Sequence, residues 1–244
     1  MQVNQKSANS RPSTSSGARS TGLLLSVDTC GPSGSVALGQ LNFTSLTILG
    51  LTPLEGRSYS ATLVAAVADL LANNGASLRD LQAIVAVNGP GSFTGVRVGL
   101  SAIKGLAEPA STPVVAVSRL VVLAMKAKLG SSALDAHRHE VFLRIGSNGT
   151  EGMESLAGHA ELAAIDPTPA QIAVCDEAAA DLLAKAWPSA EFLRVDAPNA
   201  ADALQQNIAR VLESDFTSLA LLDGHYLRRS DAEIFGEPTG ARQS

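Results

Sequence analysis

The residues best placed to do chemistry lie in NGPGSFTGVRVGLSAIKGLAE, Asn88 to Glu108, where Gly89, Gly91 and Gly95 surround Ser92 and Thr94. Glycines let a backbone approach a ligand closely, and the free N–H groups that open a helix attract anions, so the pattern suits phosphate binding. A P-loop, however, needs Lys and Ser/Thr after its last glycine, and Val96 and Arg97 follow Gly95 instead. The dinucleotide fingerprint fits loosely: Gly89, Gly91 and Gly95 carry one residue too many, and no acid closes the next strand, PVVAVSR. Ser92 is not a nucleophile elbow, because Pro90 and Thr94 stand where glycines belong. Anion binding and a tight turn that binds nothing both remain open on motif shape.

A second candidate is Asp28, which ends the strand-like GLLLSVD ahead of the glycine-rich turn holding Ser33 and Gly34. Such a carboxylate either organises magnesium and water around phosphates or caps the hairpin that follows. Asp135 stands in the same relation to HRHEVFLRIG. His137 and His139 fall on one strand face but bring no third ligand, and Cys30 and Cys175 are too far apart for metal-type spacing. No metal site is expected, and reduced thiols are the simplest account of the cysteines.

The elements that position these residues follow from periodicity. LQAIVAV (81–87) is a short branched apolar run, as expected of a strand covered on both faces. Ser92 or Thr94 caps a helix over 94–108 whose buried face is Val96, Leu100, Ile103 and Ala107. Gly95 and Gly99 leave another face of that helix bare for a close neighbour. A helix over 58–73 has only Thr62 and Asp69 as polar members of ATLVAAVADLLA, so it is expected to be covered on two sides. Together these two helices offer an apolar, closely approachable patch to a partner. With a helix over 118–129 the order is βββαβαβα, and a thinner copy of the opening begins near residue 131.

The composition allows this. A chain of 244 residues, 45% hydrophobic and 17% charged, can form one large domain or two small lobes. Net charge −5 argues against gripping nucleic acid unaided. No apolar run reaches a membrane span and no secretory signal opens the chain, so a cytoplasmic protein is expected. The divisions are 1–20, a polar serine-rich tail expected to be disordered or to reflect a start codon placed too early; 21–129, a first lobe; and 130–244, a smaller second lobe.

A duplicated α/β lobe opening with strand, Asp and glycine hairpin is similar to the actin, sugar-kinase and Hsp70 ATPase superfamily. That implies two tandem actin-like (ribonuclease H-like) lobes, each a mixed sheet flanked by helices. Within it, SVDTCGPSGSVAL, NGPGSFTGVRVGLSAIKGLA and DAHRHEVF, in that order, closely resemble the TsaB (YeaZ) family from about residue 22 to 229, with Tyr226–Arg228 matching its closing strand.

The resemblance implies a scaffold for making N6-threonylcarbamoyladenosine in tRNA. In that family the paralogue TsaD transfers the threonylcarbamoyl group from threonylcarbamoyl-AMP, the ATPase TsaE joins both, and tRNA is met through the complex. It implies pairing through Tyr59, Leu63, Ala66, Val67 and Leu70 of the first helix and Gly95, Gly99 and Ala102 of the second, with a homodimer when alone. It further implies no nucleotide on the chain alone, ATP or ADP entering with the assembled complex, and a vestigial cleft at Asp28, Ser33, Gly34, Gly89, Gly91 and Ser92. No catalytic residue is expected: Tyr59 and Leu63 stand where TsaD carries two histidines, and an older peptidase label finds no Ser/His/Asp order. His137 stands where the family commonly has Arg. The alternative is an autonomous ATPase or phosphotransferase using Asp28, the Ser33–Ser35 hairpin and the Gly89–Gly95 loop.

Overall fold

The computed structural model describes residues 21–55, 59–147 and 151–228. The tail at 1–20 and the helix start at Ser58 lie outside them. The first half runs β1 (Thr21–Asp28), β2 (Ser33–Asn42), β3 (Ser45–Glu55), α1 (Tyr59–Asn73), β4 (Leu81–Val87), α2 (Phe93–Ala110), β5 (Val114–Val117) and α3 (Arg119–Lys126). The second runs β6 (Ser132–Asp135), β7 (Val141–Gly146), β8 (Gly152–Ala157), α4 (His159–Ala163), β9 (Gln171–Val174), α5 (Glu177–Ala186) and β10 (Glu191–Arg194), followed by α6 (Ala200–Gln206) and α7 (Ile208–Leu212).

Two five-stranded mixed sheets result, ordered β3-β2-β1-β4-β5 and β8-β7-β6-β9-β10. In each, the first three strands form an antiparallel meander and the fourth and fifth add in parallel. The internal duplication is therefore a duplication of topology, in the actin-like form. β8 gives little sequence signal, because GMESLA is an edge strand exposed at half of its positions.

β2 and β4 are buried at nearly every position, which requires cover on both faces. Gly50 lets Leu70 of α1 lie against one face, and Gly39 lets Leu204 of α6 approach the other. After β10 the chain does not run on as a single helix. The chain instead breaks at Asn207 into α6 and α7, and Ala200, Ala203 and Leu204 enter the first core beside Leu38 and Leu41. Two alanines on one face let α6 sit close to the sheet.

α3 lies between the sheets, its Leu120 and Leu123 packed with Leu134 and Phe142. The second core gathers Val141, Leu143, Ile172, Leu183 and Trp187, whose indole N–H donates to the Leu162 carbonyl at 2.9 Å. Among the described residues no helix is long and apolar enough to cross a membrane.

Residues 223–228 do not form the expected closing strand. They run as an irregular strap across both halves. The His225 N–H donates to the Asn88 carbonyl at 2.7 Å, and Arg228 pairs with Glu140. The His225 ring lies 2.8 Å from Glu154 of β8, a carboxylate that also accepts from the Ser118 hydroxyl at 2.7 Å and pairs with Arg144 at 3.3 Å. Burial pushes the Glu154 carboxyl up, but the hydrogen bonds from His225 and Ser118 and the nearby charges outweigh it, so the pKa is held below the usual carboxylate value.

A lowered native pKa contributes stability that is present above the unfolded pKa and lost as pH falls through the native one. Glu154→Gln is expected to cost about 1.5–3 kcal/mol at neutral pH, the range for hydrogen bonds to a charged group. Urea unfolding from about pH 7 down to about pH 3 should show the two proteins converging below about pH 4. A gap that stays constant across that range would contradict the assignment.

Candidate functional site

The loop after β4 is tied down from within. Gly89 and Gly91 have φ of 115° and 155°, conformations that favour glycine. The Ser92 hydroxyl caps α2 by accepting from the Gly95 N–H at 3.2 Å, while the Ser92 N–H donates to the Cys30 carbonyl at 2.7 Å. A Cβ on Gly91 would overlap the Cys30 carbonyl oxygen, one on Gly95 the Thr29 carbonyl oxygen, and one on Gly99 the Thr29 hydroxyl. That hydroxyl donates to the Gly95 carbonyl at 2.7 Å. The bare face of α2 is thus filled by the end of β1 in the same chain, and this corrects the expectation that Gly95 and Gly99 lie open to a partner. Gly89 is covered by the strap, with the His225 carbonyl 3.0 Å from where its Cβ would be.

Asp28 is 2% exposed and both its oxygens are engaged. One accepts from the Cys30 N–H at 2.8 Å, capping the turn. The other pairs with the Arg119 guanidinium, itself 7% exposed, at 3.2 Å. Nothing in the sequence around Asp28 signals this partner, which arrives from the start of α3. Burial would lower the Arg119 pKa, but the charge of Asp28 and its hydrogen bond hold it above its ordinary value.

The hairpin beyond is enclosed too. The Tyr59 hydroxyl donates to the Gly31 carbonyl at 2.9 Å, its ring lies over Gly34, and the Ser35 hydroxyl accepts from the Ala200 N–H at 2.9 Å, leaving Ser33 exposed at the turn. A magnesium nucleotide here would have to displace both Arg119 and the start of α6, so the residues do not fit one as they stand. The Tyr59 phenol is pushed up to about 12 by burial and by the charge of Asp28. Burial likewise raises the Cys30 thiol, with the charge of Asp28 adding to it, and takes the Cys175 thiol to about 11, so neither is an activated nucleophile.

Asp135 repeats the cap of Asp28: it accepts from the N–H two residues on, that of His137, at 2.8 Å. His137 also pairs with it through its ring at 2.8 Å. Among the described residues no group of three or more His, Cys, Asp or Glu could hold a metal ion.

α1 divides its faces sharply. Tyr59, Leu63, Val67 and Leu70, expected as partner contacts, are buried against the chain's own sheet. The outward face carries Ala61, Val64 at 52% exposure, Ala65, Ala68 and Ala72, while Ala66 and Ala102 are half-buried. The apolar surface read from ATLVAAVADLLA is present, one position along from the residues first assigned to it. A groove of about 310 Å³ separates α1 from α2, with Val64, Val98, Ser101 and Ala102 in its walls. At its end Arg97 lies 3.7 Å over the Phe93 ring, with Tyr226 of the strap 5.1 Å from Phe93 between ring centres. No sequence pattern joined Tyr226 to Phe93 and Arg97.

Comparison with known proteins bears on these features. The family model described as "TsaD: tRNA N6-adenosine threonylcarbamoyltransferase" matches residues 50–161. The "tRNA threonylcarbamoyladenosine biosynthesis protein TsaB" of Escherichia coli (strain K12) is 36% identical over 125 residues, 49% of this chain and 52% of that protein. Its namesake in Haemophilus influenzae is 35% identical over 98 residues, 38% of this chain and 42% of that protein. The chain thus spans about half the length of the curated relatives it matches, or less. A Pseudomonas aeruginosa crystal structure, titled as an uncharacterized protein with similarity to peptidase YEAZ, superposes with TM-score 0.70 at 26% identity, covering 85% of this chain and all of that one. The Gly89–Glu108 motif, the duplicated sheets and these relatives agree in making the chain similar to the TsaB (YeaZ) proteins.

Proposed function

We propose that this chain is a scaffold subunit in tRNA N6-threonylcarbamoyladenosine biosynthesis, working in the cytoplasm and pairing with a TsaD-type catalytic subunit. The observation that carries this reading is the outer face of α1, where Val64 and four alanines stay exposed beside the groove that separates α1 from α2. An ordinary surface helix turns a polar back to water, so a small-residue apolar face next to a groove suits a second helix pair packing closely. The names of the TsaB relatives supply the pathway, and the match to the TsaD family model supplies a partner of the same architecture.

The TsaE-type ATPase joins the pair, and tRNA is reached through the complex, in keeping with a net charge of −5 on this subunit. No residue of this chain is assigned a catalytic role. Asp28 is held by Arg119 and the Cys30 and Cys175 thiols are unactivated, which supports this reading over an ATPase or a peptidase. The isolated chain binds no nucleotide, and ATP or ADP enters with the assembled complex. The same α1 face supports a homodimer when the partner is absent.

The test is the mass in solution of this chain mixed with the TsaD-type subunit of the same organism. A one-to-one complex is expected, weakened by about a hundredfold or more in Val64→Asp, which places a charge at the centre of the apolar face. Unchanged pairing in that variant would remove the face from consideration. Gly99→Ala serves as the contrast: its Cβ meets Thr29, so it should lower fold stability by about 1–3 kcal/mol, with Thr29→Ala restoring part of the loss. Equal melting temperatures for wild type and Gly99→Ala would count against the packing described above.

A further inference from the structure

Arg97 differs from the paired surface guanidiniums of the chain. Arg194 pairs with Glu177, Arg210 with Asp215 and Arg228 with Glu140. Among the described residues no acceptor meets Arg97; its contacts are the Phe93 ring at 3.7 Å and the Tyr226 ring at 5.9 Å. Stacking fixes the plane of a guanidinium while leaving its in-plane N–H fork free, the arrangement that receives a carboxylate through two parallel hydrogen bonds. The fork stands at the end of the apolar groove walled by Val64, Val98 and Ala102.

We propose that Arg97 receives a carboxylate of the catalytic subunit, an Asp or Glu carried among small apolar residues on its docking helices, and so sets the register and selectivity of pairing. This rests on the groove reading above. A single fork beside apolar walls suits one carboxylate, which the groove would shield from water as it closes. Phosphates of RNA call for several clustered cations, whereas the next cation along α2, Lys104, lies about 10 Å up the helix and the chain as a whole is acidic. Tyr226 gives the strap a part in this: its ring, 5.1 Å from Phe93 and 5.9 Å from the guanidinium, adds a second aromatic neighbour that favours the stacked position, so less side-chain entropy is lost on docking.

The experiment is calorimetric titration of the full chain with the TsaD-type subunit of the same organism, at about 0.1 M and about 1 M salt. Arg97→Gln is expected to weaken binding about thirtyfold at low salt, with the gap narrowing at high salt, and Arg97→Lys to recover only part because it lacks the fork. Thermal melting of both variants should match wild type, since Arg97 is exposed. Wild-type affinity in Arg97→Gln, alongside loss in Val64→Asp, would overturn this proposal and leave the groove standing. Wild-type affinity in both variants would overturn the groove reading itself. A loss in Arg97→Gln that ignores salt, or one confined to self-association, would also overturn the carboxylate assignment.

Discussion

The approach of Thr29 and Cys30 to the start of α2 is the contact on which the rest of the first half depends. Backbone meets backbone there with no room for a Cβ at Gly91 and Gly95, and the Thr29 side chain takes that room at Gly99. The close fit sets the height and direction of α2 over the sheet, and α1 packs beside α2 in the position that this leaves. It also places Cys30 where its N–H can reach Asp28, so the turn that follows β1 and the helix that follows β4 are fixed by one another. The glycines that give the motif its distinctive look are thus accounted for by packing, and the loop's own polar groups by bonds to β1 and α3.

Much of this was legible in the residues. The alternation of apolar runs with glycine turns marks β1, β2 and β4, Ser92 caps α2 as its position suggests, and the recurrence of strand, Asp and turn reveals the duplication. What sequence could not supply was the partner of each exposed-looking group. Gly95 and Gly99 read as a bare face, and only the fold shows that Thr29, from the far end of β1, fills it. Arg119 opens α3 as an ordinary basic residue until the sheet brings it against Asp28. On α1 the apolar content is plain, but a helix apolar on every side has no sequence signal to say which half faces inward; the side on which Leu70 meets Gly50 decides it. The short edge strand β8 and the return of α6 escape for the same reason, since both are set by neighbours distant along the chain.

In the superfamily that this fold resembles, the strand-end carboxylate and its hairpin border a cleft. Here the cleft is closed by the chain's own groups. Arg119 supplies a fixed positive charge to Asp28, the start of α6 donates to Ser35, and Tyr59 bridges to Gly31. A buried ion pair contributes little net stability compared with well-packed apolar residues, yet losing one member strands the other in a medium of low polarity. The pair therefore acts as a constraint on geometry, holding α3, and with it the second half, at a set distance from β1. That arrangement suits the scaffold role proposed above.

The placement of α6 carries a consequence for how the chain is made. The first sheet is completed by Ala200, Ala203 and Leu204, and the open edge of β5 is closed when the Thr217 N–H reaches the Val114 carbonyl. On the ribosome, therefore, the first five strands emerge before the residues that cover one of their faces have been synthesised. The amino-terminal half has to wait, with an apolar face exposed, until translation has passed the whole of the second sheet. Folding of the first half consequently cannot be completed before residues 200–206 have been made, and until then the nascent chain carries apolar surface of the kind that aggregates unless shielded.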